Sequence, residues 1–395
     1  MIKVFEAFAG IGTQRMALRN LGIEHEVVAI AEIDKFAIKS YEAIHGDVNN
    51  LGDISKIKTE DIPDHDLFTY SFPCQDISVA GKQAGLKEGS GTRSGLLWEC
   101  EKVIEVKRPK YLLMENVKNL VGKKFKADFD KWLERLEELG YTNYWKVLNA
   151  KDYGIPQNRE RVFVVSIFGE HESYVFPKPI KLEKRLNDVL EDEVEEKFYL
   201  SKEQVDRIKF SNFNQEKKRL QEKEYCDTLC ARDYKDPKCI KVGDFRYDEG
   251  LRIRKNGLSP CLTTKIGSTS LSGNTLIIKN GTKSPTDSTH FLIGSTQKNA
   301  GITDGDYSTT LTSAMGTGGG HVPMHNVTSD LRIRKLTPKE CWRLMGCTDE
   351  DFEKAQKVNS NTQLYKQAGN AIVVDVLEYI FYNLFNVGKN EKNYF

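Results

Sequence analysis

Apolar runs of strand length alternate with amphipathic segments of helix length through the first part of the chain. This alternation is what most restricts the fold. IKVFEAFAG, from Ile2, reads as a buried strand, and TQRMALRNLG, from Thr13, as a helix closed by Gly22. HEVVAIAEID and KFAIKSYEAIHG repeat the pair, the helix ending at Gly46. DLFTYSF, YLLMENV, YWKVLNA and RVFVVSIFG continue the strands, and SGLLWECEKVIEVK and FDKWLERLEELG supply helices between them. Strands interleaved with helices build parallel βαβ units, so the expected class is α/β with a doubly wound, mostly parallel sheet of the Rossmann-like kind.

The pattern stops after Pro177-Lys178-Pro179. Residues 181–330 are richer in Gly, Ser, Thr, Asn and Lys, with short apolar pieces between turn signals, which predicts a smaller, mainly β or irregular domain. The α/β signature returns at Thr337-Pro338-Lys339-Glu340, a capping-box pattern, and a long apolar helix after Gly369 finishes the chain. The expected organisation is therefore residues 1–180, an insert at 181–330, and a return segment, 331–395, that completes the first domain.

The N-terminus has no basic region followed by a long apolar stretch, so no secretory signal is expected. The most apolar late run, AIVVDVLEYIFYNLFNV, is interrupted by Asp375 and Glu378 and reads as a buried helix, not a membrane span. Eight cysteines in a chain of 395 residues without such a signal point to reduced thiols in a cytoplasm. Cys226, Cys230, Cys239 and Cys261 lack paired C-x-x-C spacing and read as free thiols, so no metal is expected. A net charge of +1 excludes no partner, because nucleic-acid binding needs only a local basic surface.

Phe8-Ala9-Gly10-Ile11-Gly12 joins the first strand to the first helix, where a nucleotide-like ligand approaches the backbone of a doubly wound sheet. Glycine keeps that approach clear or supplies positive φ. The third glycine of a dinucleotide fingerprint is replaced by Arg15, which weakens a pyrophosphate reading and with it a nicotinamide-dependent oxidoreductase. Glu32, at the end of the second strand, is suited to both ribose hydroxyls of an adenosine, and Asp53 to an adenine amino group. Each acid alone reads as a solvated strand end; with the loop they favour an adenosyl cofactor.

Ser71-Phe72-Pro73-Cys74-Gln75 directly follows a strand, so Cys74 is expected at a strand C-terminus beside the crevice, its thiol aimed by Pro73. A lone thiol is more often a buried structural residue. The polar, glycine-punctuated stretch from Asp76 to Gly85 has the composition of an active-site lid. Glu115 in Met114-Glu115-Asn116-Val117 ends the next strand, and Gln157-Asn158-Arg159-Glu160-Arg161 brings two guanidiniums. Arginine near a cysteine favours the thiolate and can hold a carbonyl or carboxylate bidentately. Alone, that pentapeptide reads as a surface ladder of charges.

In this order, these segments resemble the motif set of the C5-cytosine-specific DNA methyltransferases of bacterial and phage restriction-modification type. Phe8–Gly12 is similar to the cofactor loop, with Thr13 where the family usually has glycine; Phe72–Gln75 to the nucleophile motif; and Glu115–Val117 to the acidic motif. Gln157–Arg161 is similar to the arginine motif, Arg334–Glu340 to the segment packed against the recognition domain, and Gln367-Ala-Gly-Asn370 to the final motif. The likeness spans the chain to about Pro179 and roughly the last sixty residues, but does not extend convincingly through the insert.

The resemblance implies S-adenosylmethionine as cofactor, held by Phe8, Ala9, Gly10, Ile11, Gly12, Glu32, Ile33, Asp53, Ile54, Pro73, Leu97, Asn370, Ala371 and Ile372. It implies Cys74 adding to C6 of cytosine, Glu115 at N3 and the exocyclic amine, Arg161 at O2, and Arg159 orienting Glu115 or the thiolate region. Cytosine C6 is out of reach inside a duplex, so the base is flipped out at about a few kcal/mol. Gln75, Ser78 and Lys82 are then candidates for the vacated gap and for phosphate; Ala80 stands where the family often has serine. Residues 181–330 would read the DNA sequence through a Thr-Leu dyad. Thr310-Leu311 fits best, with Thr263-Thr264 and Thr228-Leu229 as competitors.

The implied partner is double-stranded DNA met by a monomer in a bacterial cytoplasm, on the nucleoid when bound, with no membrane; a cognate restriction endonuclease need not bind. An RNA cytosine methyltransferase of the tRNA branch would share the catalytic residues, but the large insert favours DNA. A non-catalytic DNA-binding module would leave Cys74 and Glu115 without a purpose.

Overall fold

The computed structural model describes residues 1–73, 93–199, 226–227, 239–242, 244–246, 250–252 and 332–387. Strands β1 (Ile2–Ala7), β2 (His25–Ala31), β3 (Leu67–Tyr70), β4 (Tyr111–Val117), β5 (Tyr141–Asn149) and β7 (Glu160–Phe168) form one sheet in the order β2-β1-β3-β4-β7-β5. A two-residue strand, β6 (Gln157–Asn158), stands just before β7. Helices α1 (Thr13–Asn20), α2 (Lys35–His45), α3 (Leu97–Lys107) and α4 (Lys126–Glu138) lie between the strands.

β1, β2, β3 and β4 run parallel, as the alternating periods predict. β7 is the exception: it lies antiparallel to both β4 and β5. The reason is local. No α-helix separates β5 from β7, only a short 3-10 turn, Ala150–Tyr153. A parallel return needs a crossover of a dozen or more residues, whereas a short connection can only double back. The mostly parallel, doubly wound class therefore holds, with one strand reversed.

One core lies between the sheet and helices α3 and α4. Phe5, Phe68, Tyr70, Leu112 and Met114 meet Val103, Ile104, Phe129 and Trp132 there, all buried. On the other face, α1 is tied to the C-terminal helices α6 (Asp349–Gln356) and α8 (Val374–Leu384). Arg19 Nη2 is 2.7 Å from Asp351 Oδ2, and Asn20 Nδ2 donates to Glu378 Oε1 at 2.7 Å.

The return segment starts with α5 (Pro338–Arg343), Pro338 opening the first turn where no backbone N–H is needed. The Thr337 hydroxyl donates to Glu191. The long apolar helix expected after Gly369 is α8, and a separate helix precedes it. α7 (Asn361–Asn370) ends, Ala371 is extended at φ −69 and ψ 157, and α8 begins at Val374.

The chain divides into two compact units. The larger contains residues 1–189, 224–236 and 338–395. Within it, the strand β8 (Cys226–Asp227) pairs in parallel with β6. The smaller unit, residues 190–223 and 237–337, contains β9 (Cys239–Val242), paired antiparallel with β12 (Arg332–Lys335). It also contains the antiparallel pair β10 (Asp244–Arg246) and β11 (Gly250–Arg252). Among the described residues, no helix is long and apolar enough to cross a membrane, and no group of His, Cys, Asp and Glu is arranged to hold a metal ion.

Candidate active site

The carboxyl ends of the parallel strands form one edge of the sheet, and the loops there carry most of the expected site. After β1 the chain turns sharply: Phe8, Gly10 and Gly12 all have positive φ, at 56°, 58° and 74°. Phe8 N donates to Ala31 O at 2.8 Å, which binds the loop to β2. A Cβ on Gly10 would meet nothing within 4 Å, so the loop presents open space at that residue. A Cβ on Gly12 would lie 2.6 Å from both His45 Nε2 and Tyr41 Cε2, so Gly12 is required for packing as well as conformation.

Glu32 directly follows β2, its carboxylate bound by backbone. Oε2 accepts from Gly10 N at 2.8 Å, and Oε1 accepts from Ile33 N and Asp34 N, both at 2.8 Å. The neighbouring Ile33 is 72% exposed, an unusual position for a large aliphatic side chain beside a polar loop. Asn50 links this corner to Asp53. Its Oδ1 accepts from Glu32 N at 3.2 Å and Gly52 N at 3.0 Å, and its Nδ2 donates to Glu32 O at 3.1 Å. Asp53 caps a short turn through Ser55 N at 3.1 Å and Ser55 Oγ at 2.7 Å, which hold its carboxyl below the usual range. Ile54 and Leu97 are buried.

At the ends of β3 and β4 the chemistry changes. Glu115 is buried, and burial pushes its carboxyl up, against the opposing pull of Arg161, Arg159 and a hydrogen bond with Ser71. Arg161 Nε lies 3.2 Å from Glu115 Oε1. The register explains the meeting: Arg161 is opposite Val117 on the antiparallel pair, so it is the diagonal neighbour of Glu115. Glu160, the next residue along the strand, points to the other face and pairs with Lys118 Nζ at 2.8 Å. Asn116 Nδ2 donates to Phe72 O at 3.0 Å. The buried Phe72 and the following Pro73 are thereby tied to the end of β4.

Arg159 is buried, and its Nη2 donates to Gly369 O at 3.1 Å and Ala371 O at 2.8 Å. It closes the break between α7 and α8 and brings the arginine segment to Asn370, Ala371 and Ile372. Asn370 is exposed, while Ala371 and Ile372 are buried. Gln157 Nε2 donates to Leu344 O at 2.7 Å, and Gln367 Nε2 to Phe36 O at 2.9 Å. Lys366 Nζ is 2.6 Å from Asp34 Oδ2, so α7 docks on the start of α2.

Cys74, Gln75, Ser78, Lys82, Thr310 and Leu311 lie outside the described residues. Four supporting residues were not singled out in the sequence: Asn50, Asn116, Tyr41 and His45. Asn116 stood inside a quoted motif, but nothing in the sequence marked Asn50, Tyr41 or His45, whose partners are distant in the chain.

The C-5 cytosine-specific DNA methylase family model matches residues 2–386. The chain belongs to that family. It is a DNA (cytosine-5-)-methyltransferase. It is 38% identical to the type II methyltransferase M2.ScrFI of Lactococcus lactis subsp. cremoris, the alignment covering 98% of this chain and 99% of that protein. It is 31% identical to the orphan methyltransferase M.SPBetaI of Bacillus phage SPbeta, covering 99% of each. Among solved structures, the Entamoeba histolytica methyltransferase EhMeth superposes with a TM-score of 0.64 at 16% identity, covering 98% of both chains. The S. pombe Dnmt2 methyltransferase gives 0.61 at 18%, covering 98% of this chain and 99% of that one. At such identities the structures speak for the fold alone.

Proposed function

We propose that the enzyme acts on a cytosine flipped out of duplex DNA, with Cys74 as covalent nucleophile and Glu115 as the acid at N3. Attack of the Cys74 thiolate on C6 forms a C–S bond and moves a ring electron pair toward N3, where Glu115 delivers its proton. The ring becomes an enamine whose C5 is nucleophilic. Arg161 holds O2 of the base. Once C5 carries the methyl group, N3 returns its proton to Glu115, the C5 proton is removed, the C5–C6 double bond re-forms and the thiolate leaves.

The observation that carries this reading is the state of Glu115. Burial pushes the Glu115 carboxyl upward, which favours its protonated form, and the contact with Arg161 Nε at 3.2 Å fixes its direction. The hydrogen bond from Asn116 to Phe72 O supports a role for Cys74, since Phe72 is two residues from the thiol. Arg159, bonded to Gly369 O and Ala371 O, acts chiefly as a brace between the arginine segment and the final motif.

The loop fits S-adenosylmethionine: open space at Gly10, the Glu32 carboxylate fixed at the strand end, and the exposed face of Ile33. Phe8 to Gly12, Glu32, Ile33, Asp53, Ile54, Pro73, Leu97, Asn370, Ala371 and Ile372 would hold it. When bound, it supplies a methyl group made electrophilic by a sulfonium. Residues 181–330 read the DNA sequence, with Thr310-Leu311 as the contact dyad and Gln75, Ser78 and Lys82 on the emptied base position and phosphate. The enzyme works as a monomer in the bacterial cytoplasm.

DNA carrying 5-fluorocytosine tests the covalent step, because fluorine does not leave as a proton does. A stable adduct at Cys74 is expected from the wild type and none from Cys74→Ser, which keeps its affinity for S-adenosylmethionine. No adduct from the wild type would overturn the nucleophile assignment. Bisulfite sequencing of DNA after expression reports the modified base and its context.

A further inference from the structure

Beneath the Phe8–Gly12 loop, on the α2 side, lies a group of side chains that the reaction does not use. Tyr41 and His45 stand one helical turn apart on α2, their ring centroids 4.7 Å apart. Tyr41 is fully buried and packs against Ala9 of the loop and Ile30 of β2. Both rings lie where a Cβ on Gly12 would fall, 2.6 Å away in each case. His45 Nε2 is 3.1 Å from the carbonyl oxygen of Ile11. A carbonyl can only accept, so Nε2 carries the proton and donates.

Below the rings, Tyr41 Oη donates to Glu6 Oε2 at 2.7 Å, and Arg15 Cζ stands 5.9 Å from the Tyr41 ring centroid. Glu6 is fully buried within β1, just before the loop. Among the described residues, its other oxygen, Oε1, has no hydrogen-bond partner. From above, Glu32 holds the loop through Gly10 N. The loop is therefore clamped from two sides by groups distant in sequence.

We propose that His45, seated on Tyr41, is a positioning residue for S-adenosylmethionine: it fixes the Phe8–Gly12 backbone, before the cofactor arrives, in the conformation that binds it. The inference rests on the cofactor reading of that loop. Preorganisation lowers the ordering cost of binding, so its loss is expected in affinity and not in the chemical step. The charged groups around His45 are Arg15, Arg19 and Asp351. Burial and Arg15 push the imidazole down to about 3, so the ring stays a neutral donor through the working range. The His45 contribution to affinity is accordingly flat with pH.

The test is calorimetric binding of S-adenosylmethionine and S-adenosylhomocysteine to the full chain. His45→Phe keeps a ring over Tyr41 and removes the donor, whereas His45→Gln keeps an N–H at the reach of Nε2. His45→Phe is expected to weaken both ligands about tenfold, with kcat at saturating cofactor and KM for DNA little changed, as loss of one buried donor implies. His45→Gln should recover to within about threefold of the wild type. Wild-type affinity in His45→Phe, or a loss of kcat without loss of affinity, would overturn the proposal, as would Gln performing no better than Phe. If His45→Phe does not fold, hydrogen exchange on the wild type decides. The Gly10 and Gly12 amides should be protected before ligand is added; free exchange until then would sink the idea. A wild-type chain that binds neither ligand undoes the cofactor reading itself, a different result from equal binding by wild type and variant.

Discussion

Arg161 Nε lies 3.2 Å from Glu115 Oε1, across the antiparallel step between β4 and β7. Burial raises the Glu115 carboxyl and the guanidinium opposes that rise, so the pair sets how readily the proton is given up. Glu115→Gln keeps a hydrogen-bonding group but no transferable proton. It is expected to lower kcat by about 10²–10⁴-fold with cofactor affinity retained. In Arg161→Ala the carboxyl rises further, so the limb of the pH–rate profile on which Glu115 loses its proton moves to higher pH. A limb that stays in place would remove Glu115 from the acid role.

Arg159 spans 210 residues of sequence to reach Gly369 O. Arg159→Ala leaves two carbonyls at the α7–α8 break without that donor, for which a loss of about 1–3 kcal/mol is expected. Because Asn370 sits between those carbonyls, KM for S-adenosylmethionine should rise as well. Thermal denaturation and steady-state kinetics on the same sample check both effects together.

Gly10 and Gly12 separate binding from folding. Gly10→Ala places its methyl group in open space, so it should lower stability only by the left-handed backbone cost, about 1–2 kcal/mol. Its affinity for cofactor should fall sharply. Gly12→Ala adds a clash with Tyr41 and His45 to the same backbone cost and should destabilise by several kcal/mol. Melting curves with and without S-adenosylmethionine distinguish the two; a Gly10→Ala protein that binds as wild type would refute the reading of that face.

Glu6 is pushed up to about 7 by burial, offset in part by Tyr41 and Arg15. The folded state therefore keeps the proton that the unfolded chain loses from about pH 4.5 upward. Stability due to this group is fully present below that range and declines as pH rises through about 7. Asp375, at about 6, and Glu378, at about 7, act in the same direction. Glu6→Gln removes one contribution to the slope while keeping an acceptor for Tyr41. Relative to wild type, the variant should gain about 2–3 kcal/mol between pH 5 and pH 8 in denaturant titrations. An unchanged difference across that range would refute the buried-acid reading.

The motif segments could be read in the sequence because each is local: a strand, a turn and a polar residue within a few positions. The roles of their neighbours could not. Asn50 is an unremarkable loop residue until it bonds to both Glu32 and Gly52. His45 looks like the last residue of an amphipathic helix until Gly12 is seen against its ring. The helix expected after Gly369 forms from Val374, but the short extended link that separates it from α7 is held by an arginine from another motif.

Periodicity and glycine placement act over ten residues or so, and they suffice to determine the α/β class and the parallel strands, while the ordered motifs carry the resemblance to the family. What tertiary structure alone decided is the reversal of β7 beside β4, which makes Arg161 the diagonal neighbour of Glu115. It also decided the pinning of the Phe72 carbonyl by Asn116 and the two-sided clamp on the cofactor loop. Each of these joins groups 22 to 46 residues apart, and their meeting depends on how sheet and helices pack, a property no local stretch encodes.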